Sequence, residues 1–305
     1  MKKVLFILLS IFALTAFAKK KFRKRCSLTS SIKPKCYHKR DAPILNISLI
    51  YYGNESDMNI EHLEKIEGLL KERFSKATQQ ELTLNIQHKA IVPFKHKIPE
   101  GYTYNNIEDK KRLQRIWYYD NVGWKINLEM YEEYKRLYPE QTKTIDVLLT
   151  ITGAQFDALG LANGRVSTTE YPQEIAWNLP NGGRVNYPTD YELVDELIHE
   201  LGHNMFIGHA TSQCQKISYN AQVATYSSNE ERMEGIRLAR ERTKACCEAS
   251  PSKNDVMSYC RNRSNVDENF MHGFESCNLG MIKKLVIPAM LKGRRWNVAG
   301  RVSCR

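Results

Sequence analysis

The run from His199 to His203, with the letters HELGH, constrains this chain more than any other feature. It lies in a segment that should be helical, because Thr189 and Glu192 have the spacing of a capping box in front of an apolar run. On an α-helix four residues turn through about 400°, so the imidazoles of His199 and His203 share one face, about 6 Å apart along the axis. Both rings can therefore bind one metal ion. The apolar face of the same helix consists of Leu193, Val194, Leu197, Ile198 and Leu201.

A third candidate ligand, His209, follows His203 by six residues. If the helix continued, the His209 side chain would lie about 240° around the axis and would face away from the metal. The helix must therefore end, and the chain must turn back, before His209. Gly208 can adopt the left-handed conformation that ends many helices. A catalytic zinc ion with three protein ligands keeps one open position, and Glu200 is placed to act there as a general base toward water.

Two other interpretations stay open on the residues alone. A glutamate on the next predicted helix, Glu231 or Glu234, could replace His209 as the third ligand, and the chain would then be a zinc peptidase with two histidine ligands and one glutamate ligand. The chain could also be a secreted binding or adhesion protein with an inert zinc site. Structural zinc sites usually have four Cys or His ligands, however, and Glu200 would have no purpose in one.

The spacing of the three histidines resembles the metzincin consensus H-E-x-x-H-x-x-G-x-x-H. Farther along, the segment Asp255 to Tyr259 (DVMSY) resembles the Met-turn of that family, in the Met-x-Tyr form of serralysins and astacins. The string HELGHNMFIGHA is also similar to gametolysin-type metzincins. The family pattern has a glycine where this chain has Phe206. Because phenylalanine does not readily adopt the left-handed conformation, we expect the turn to be shifted towards Gly208.

The resemblance implies a zinc-dependent endopeptidase that hydrolyses protein or peptide substrates, with Glu200 activating a water on the zinc. It also implies that Met257 forms an apolar base beneath the metal. Tyr259 would be a further ligand or a hydrogen-bond donor to the transition state, since a phenol can donate to an oxyanion. The implied zinc ligands are His199, His203 and His209.

The N-terminus predicts export from the cytoplasm. Residues 1–18 have the basic start, the apolar run and the Ala-Phe-Ala cleavage site of a signal peptide. The apolar run is too short to span a bilayer comfortably. We therefore expect a secreted, extracellular protein, or a periplasmic one in a Gram-negative bacterium.

The positive charge is concentrated at the N-terminus. Residues 1–40 hold twelve Lys or Arg and no acidic residue, whereas the rest of the chain holds 33 basic and 34 acidic residues. We interpret residues 19–41 as a solvated basic tail, with contact to an anionic surface as the alternative. The balanced remainder argues against nucleic acid as a partner, and we expect a monomer.

Eight cysteines behind a signal peptide predict disulfide bonds in an oxidising compartment. Six of them follow residue 210, so we expect the last third of the chain to be cross-linked. We expect Cys26 and Cys36 to form a local disulfide bond, because they are close in the sequence. The adjacent residues Cys246 and Cys247 cannot easily bond to each other, and each needs a distant partner.

The fold class expected is α+β and metzincin-like, in one domain over residues 42–305. Its N-terminal part, to about residue 209, combines a mixed β-sheet with helices that include the active-site helix. Residues 210–305 form an irregular and helical, disulfide-linked subdomain. With 42% hydrophobic residues the chain can form a sizeable core. The periodicity predicts strands over 42–52, 81–92, 144–152, 165–168 and 174–177, helices over 60–75, 109–137, 229–246 and 279–291, and a loop between 210 and 229.

Overall fold

The computed structural model describes residues 25–29, 32–37, 42–53, 58–93, 123–152, 160–170, 189–261 and 266–291. The predicted signal peptide, parts of the basic tail and the short strand predicted over 174–177 lie outside the described residues. The chain divides into two compact units, residues 1–42 and 43–305. In the first unit, strands β1 (Arg25–Thr29) and β2 (Ile32–Tyr37) form an antiparallel hairpin in which Cys26 is opposite Cys36. This register is compatible with the predicted Cys26–Cys36 disulfide, which stays a prediction.

The second unit contains a mixed sheet of five strands in the order β4-β3-β5-β7-β6. The four strands from β4 to β7 in this order are parallel, and β6 is antiparallel to β7. All six residues of β5 are buried, as in a parallel sheet that is covered on both faces. The strands are β3 (Ile44–Tyr52), β4 (Thr83–Val92), β5 (Val147–Thr152), β6 (Gly160–Asn163) and β7 (Val166–Glu170).

Helices pack around this sheet and continue after it. Helix α1 begins where the side chain of Asn59 accepts a hydrogen bond from the His62 backbone, at 2.8 Å. Helix α4 packs against α1 and against strands β6 and β7. The helices are α1 (Ile60–Ala77), α2 (Gly123–Leu137), α3 (Pro139–Thr144), α4 (Asp190–Asn204), α5 (Ser212–Val223), α6 (Asn229–Ala249), α7 (Ser276–Met281), a π-helical segment (Ile282–Val286) and α8 (Ile287–Leu291).

These elements show the expected combination of helices with a mixed sheet, and they include three elements that the sequence did not predict: helix α3, strand β6 and helix α5. The loop expected between residues 210 and 229 contains helix α5. Its sequence has weak apolar periodicity, because few of its residues face the core. The buried residue Cys214 is bonded to Cys246 of α6, and this bond ties α5 to the next helix. A covalent link thus helps to hold a helix that the apolar pattern did not reveal.

Helix α6 is exposed along most of its length. Ala239 is its one buried residue. Arg237 forms ion pairs with Glu234 and Glu241 on the same helix, both at 2.6 Å. Such pairs support a helix surface but contribute little to overall stability when exposed. We infer that the disulfide bonds, more than apolar burial, anchor this helix.

The disulfides confirm that the two adjacent cysteines have distant partners. Cys214 is bonded to Cys246, and Cys247 is bonded to Cys260 in the segment that follows Met257. Cys277 is disulfide-bonded as well. Two adjacent residues of α6 are therefore fixed, one to α5 and the other to the segment that follows Met257. Among the helices that the structure describes, none has the length and hydropathy needed to cross a bilayer.

Candidate metal centre

Helix α4 carries the candidate site, and its start is the predicted capping box. The Thr189 hydroxyl accepts from the Glu192 backbone N–H at 3.3 Å, and the Glu192 carboxylate accepts from the Thr189 backbone N–H at 2.7 Å. Every residue of the helix from Leu193 to Gly202 is buried. His199 is 3% exposed, so its ring is held inside the protein.

The structure brings the three predicted histidines together. Nε2 of His209 lies 2.9 Å from Nε2 of His203 and 3.2 Å from Nε2 of His199. The opposite ring nitrogens face backbone carbonyls: His199 Nδ1 lies 2.6 Å from the Val256 oxygen, and His203 Nδ1 lies 2.9 Å from the Ile207 oxygen. A carbonyl only accepts, so Nδ1 of both rings carries the hydrogen and Nε2 keeps its lone pair.

This donor set fits a metal ion. Two nitrogens bound to one tetrahedral zinc at about 2.0–2.1 Å would be about 3.4 Å apart, close to the separations observed here. Lone pairs at that spacing repel unless a cation or a proton lies between them. Burial, and then the positive charge of Arg261, hold the pKa of His199 well below its ordinary value, so this ring stays neutral. Neutral imidazole is the form that binds zinc and several other divalent transition metals.

The turn between His203 and His209 differs from the prediction. The left-handed residue is Phe206, with φ of 62°, and Gly208 does not have a positive φ. The expected shift of the turn towards Gly208 is therefore wrong. The backbone N–H of Ile207 donates to Gly202 at 3.0 Å and that of Phe206 donates to His203 at 2.9 Å, which is the hydrogen-bond pattern of a Schellman motif. These two backbone bonds hold Phe206 in the left-handed region, whatever side chain it carries.

The Met257 segment passes directly beneath helix α4. It is a tight turn, because the Ser258 N–H donates to the Asp255 carbonyl at 2.8 Å and the Asp255 carboxylate accepts from the Met257 N–H at 2.7 Å. Met257 is fully buried. A Cβ atom added to Gly202 would be 2.2 Å from the Met257 sulfur, so the side chain packs where the helix has no side chain of its own.

The side chain of Glu200 extends from α4 towards the outer strand β6. It is 3% exposed. A Cβ atom added to Gly160, the first residue of β6, would be 2.5 Å from a carboxylate oxygen of Glu200. The missing side chain at this position therefore lets the strand approach the carboxylate closely. Ligand atoms of Glu196, His199 and Glu200 also lie within 4.8 Å of one another.

The ring of Tyr259 packs, tilted, against one of the three histidines. Its ring centroid is 3.8 Å from that of His209, with 38° between the ring planes. Its backbone N–H donates to the Thr211 hydroxyl at 3.0 Å. The side chain is 41% exposed, so the phenol faces solvent beside the histidine cluster.

The two glutamates considered as alternative ligands lie on α6. Glu231 accepts from the Ser227 backbone N–H at 2.9 Å, and Glu234 pairs with Arg237 at 2.6 Å. Both are exposed. Over the part of the chain that the structure describes, neither belongs to a group of residues that could hold a metal ion together with the histidines.

Sequence reasoning missed the charged residues around the site. Arg261 is 6% exposed, and its guanidinium pairs with Asp195 and Glu196 of α4. A signal was present in the sequence: two consecutive acidic residues interrupt the apolar run of the helix. Buried carboxylates need a cation or several hydrogen bonds, so a basic partner was to be expected, although its position along the chain was not.

Comparisons with known proteins give a distant similarity. No family model matches the chain, and no curated protein matches it. Among solved structures, the crystal structure of metalloproteinase-II from Bacteroides fragilis is similar, with 12% sequence identity and a TM-score of 0.25. The match covers 74% of this chain and 60% of that chain, so the present protein spans less than two thirds of that metalloproteinase.

Proposed function

We propose that this chain is a secreted zinc-dependent endopeptidase of the metzincin type. The observation that supports it most is the convergence of three Nε2 atoms at 2.9 and 3.2 Å, with Glu200 buried one residue from His199. Three nitrogen ligands leave a catalytic zinc with an open position. The disulfides of the described residues are compatible with an oxidising, extracellular environment.

The residues of the site have separate tasks in this proposal. His199, His203 and His209 would hold zinc, which when bound supplies a Lewis acid that polarises a carbonyl and lowers the pKa of water. Glu200 would accept a proton from the attacking water and pass it to the leaving amine nitrogen. Tyr259, beside His209, would donate a hydrogen bond to the oxygen that gains charge in the transition state.

A protein or peptide is the substrate class that suits this arrangement. Gly160 brings the start of β6 against Glu200, and β6 is an outer strand of the sheet that the structure describes. An extended peptide that adds to such an edge would have its backbone beside the carboxylate. Contact of the basic segment 19–41 with an anionic surface, and the monomeric state, are further proposals about partners.

The experiment combines metal analysis with proteolysis. The purified protein should hold one zinc per chain and cleave casein. Glu200→Gln should keep the zinc while the cleavage rate falls by about 10²–10⁴-fold, the range in which general bases act. Glu81→Gln is the matched control, because Glu81 is equally buried, at 5% exposure, and is paired with Lys283.

Two results would overturn the proposal. A wild-type protein without zinc would contradict the metal site, and a Glu200→Gln variant that cleaves casein at the wild-type rate would contradict the role of the carboxylate. Zinc binding without any cleavage by the wild type would favour the alternative, an inert zinc-binding or adhesion protein.

A further inference from the structure

Arg261 uses its whole guanidinium to join helix α4 to the turn that contains Met257. Its Nε donates to Asp195 at 3.1 Å, and its Nη2 donates to the carboxylate of Glu196. Its Nη1 donates to the Ser258 carbonyl at 3.1 Å. The side chain is 1% exposed, so solvent does not take part in these contacts.

The same guanidinium lies against the first histidine of the metal site. Arg261 Nη1 is 2.8 Å from His199 Nδ1. The same histidine nitrogen lies 2.6 Å from the Val256 carbonyl oxygen and donates its hydrogen there, so its contact with the guanidinium is one of packing and charge and not a hydrogen bond. The imidazole of His199 therefore contacts both the Val256 carbonyl and the Arg261 guanidinium, and the guanidinium is itself bonded to the Ser258 carbonyl of the same turn. A shift of the turn along α4 would move the histidine ring with it.

The acidic partners of Arg261 are themselves held in place. Asp195 accepts from the His272 backbone N–H at 3.2 Å, and its carboxylate lies 3.1 Å from His272 Nδ1. Glu196 is 6% exposed. Burying one cation with two carboxylates costs desolvation free energy that apolar residues of similar size would not cost. Such an arrangement is weak evidence for stability and is better explained by a requirement for fixed geometry.

We propose that Arg261 is a positioning residue for the metal centre, acting through His199. By fixing the Val256–Ser258 backbone to Asp195 and Glu196, it sets the rotation of the imidazole and so the direction of Nε2 towards His203 and His209. Residues that orient a metal ligand in this way typically change metal affinity by about 10–100-fold when they are replaced. The inference rests on the proposed zinc site.

Arg73 offers a matched control for this role. It is also buried, at 4% exposure, and it donates to the backbone carbonyls of Phe270 and Asp267. Its guanidinium lies 4.5 Å from the centre of the Tyr191 ring, on the same helix α4. Arg73 therefore also ties α4 to another segment, and among the described residues its guanidinium contacts Phe270, Asp267 and Tyr191 and none of the three histidines.

The experiment compares Arg261→Lys with Arg73→Lys in the full-length protein. Zinc affinity is measured by competition with a chelator, the visible absorption spectrum of the cobalt-substituted protein reports the ligand geometry, and thermal unfolding of the metal-free proteins reports stability. A lysine ammonium cannot reach two carboxylates and a carbonyl in the fixed geometry of a guanidinium. Arg261→Lys should bind zinc about 10–100-fold more weakly and change the cobalt spectrum. Arg73→Lys should lower the melting temperature and leave both metal readouts unchanged.

The outcomes separate this inference from the proposed function. Arg261→Lys with wild-type zinc affinity, or an equal loss of affinity in Arg73→Lys, would overturn the positioning role and leave the zinc site intact. A wild-type protein that binds no zinc would overturn both. If Arg261→Lys does not fold, Glu196→Gln decides: it weakens the pair that holds Nη2, so zinc affinity should fall several-fold, and an unchanged affinity would sink the inference.

Discussion

The sulfur of Met257 occupies the space that a side chain on Gly202 would need. A Cβ atom at position 202 would be 2.2 Å from that sulfur and 3.2 Å from the Phe274 ring. Glycine inside a helix costs about 0.5–1 kcal/mol relative to alanine. Here that cost is offset by close packing of α4 on the turn that contains Met257.

We predict that Gly202→Ala destabilises the protein, because the added methyl group must displace Met257. Overpacking of a buried site costs about 1–3 kcal/mol, more than the helix gains from alanine. Zinc affinity should fall as well, since His199 and His203 flank this position on the helix. Denaturant unfolding and zinc titration measure the two effects.

Gly68→Ala is the control for that substitution. Gly68 is also helical, on α1, and nothing lies within 4 Å of its added Cβ atom. This variant should gain about 0.5–1 kcal/mol from helix propensity alone. Equal stability changes in the two variants would contradict the packing of Met257 against Gly202.

A second prediction concerns the left-handed residue Phe206. A residue other than glycine in this conformation costs on the order of 1–3 kcal/mol, and a β-branched one costs more than phenylalanine. Phe206→Val should therefore destabilise the protein by about 2 kcal/mol or more. Phe206→Gly should stay within about 1 kcal/mol of the wild type, because relief of the strain offsets the lost contacts of the half-buried ring.

Ile207→Val is the control at the next position, which has no positive φ. It should cost about 0.5–1.5 kcal/mol, the usual effect of removing one buried methyl group. If valine and glycine at position 206 gave equally stable proteins, the Schellman turn described here would be wrong.

Local signals in the sequence explain which parts of the site could be predicted. The capping box and the apolar periodicity define α4 within a few residues, and the rings of His199 and His203 share a face for the same local reason. The turn at Phe206 was predicted wrongly, because side-chain preference was weighed and the two backbone bonds of the Schellman motif were not. Those bonds join residues three and five positions apart, and they fix the backbone of Phe206 against the preference of its side chain.

Tertiary partners explain the parts that the sequence did not reveal. Helix α5 has little apolar face of its own, and the bond from Cys214 to Cys246 depends on how two helices meet. The partner of Asp195 and Glu196 lies more than sixty residues away, at Arg261. The order of the strands in the sheet likewise depends on contacts between distant segments, which periodicity along the chain does not contain.

The identity of the proposed third zinc ligand can be tested by replacing each of two candidates, His209 and Glu234, with alanine. We predict that His209→Ala loses zinc affinity strongly, since His209 Nε2 lies within 3.2 Å of the other two donor nitrogens. Glu234→Ala should bind zinc normally, because its carboxylate is exposed and paired with Arg237. The measurement is zinc content after dialysis against a chelator. If Glu234→Ala lost the metal and His209→Ala kept it, the metzincin interpretation would fail.

The last prediction concerns the hydroxyl of Tyr259. Because its ring packs against His209 at 3.8 Å between centroids and is 41% exposed, the phenol can donate to a substrate oxygen without holding the metal itself. Tyr259→Phe keeps the ring and removes only the hydroxyl, so zinc content should be unchanged. An interaction made mainly in the transition state changes kcat more than KM, and loss of one oxyanion donor lowers kcat by about 10²-fold.

Tyr219→Phe controls for the loss of an exposed phenol, because Tyr219 lies on α5 and is 61% exposed. Its kinetics should equal those of the wild type. Steady-state cleavage of a peptide substrate by the three proteins separates kcat from KM. A Tyr259→Phe enzyme with unchanged kcat would remove this hydroxyl from the mechanism, while the histidine ligands and Glu200 would be unaffected. A rise in KM at constant kcat would instead assign Tyr259 to substrate binding, since uniform binding changes KM alone.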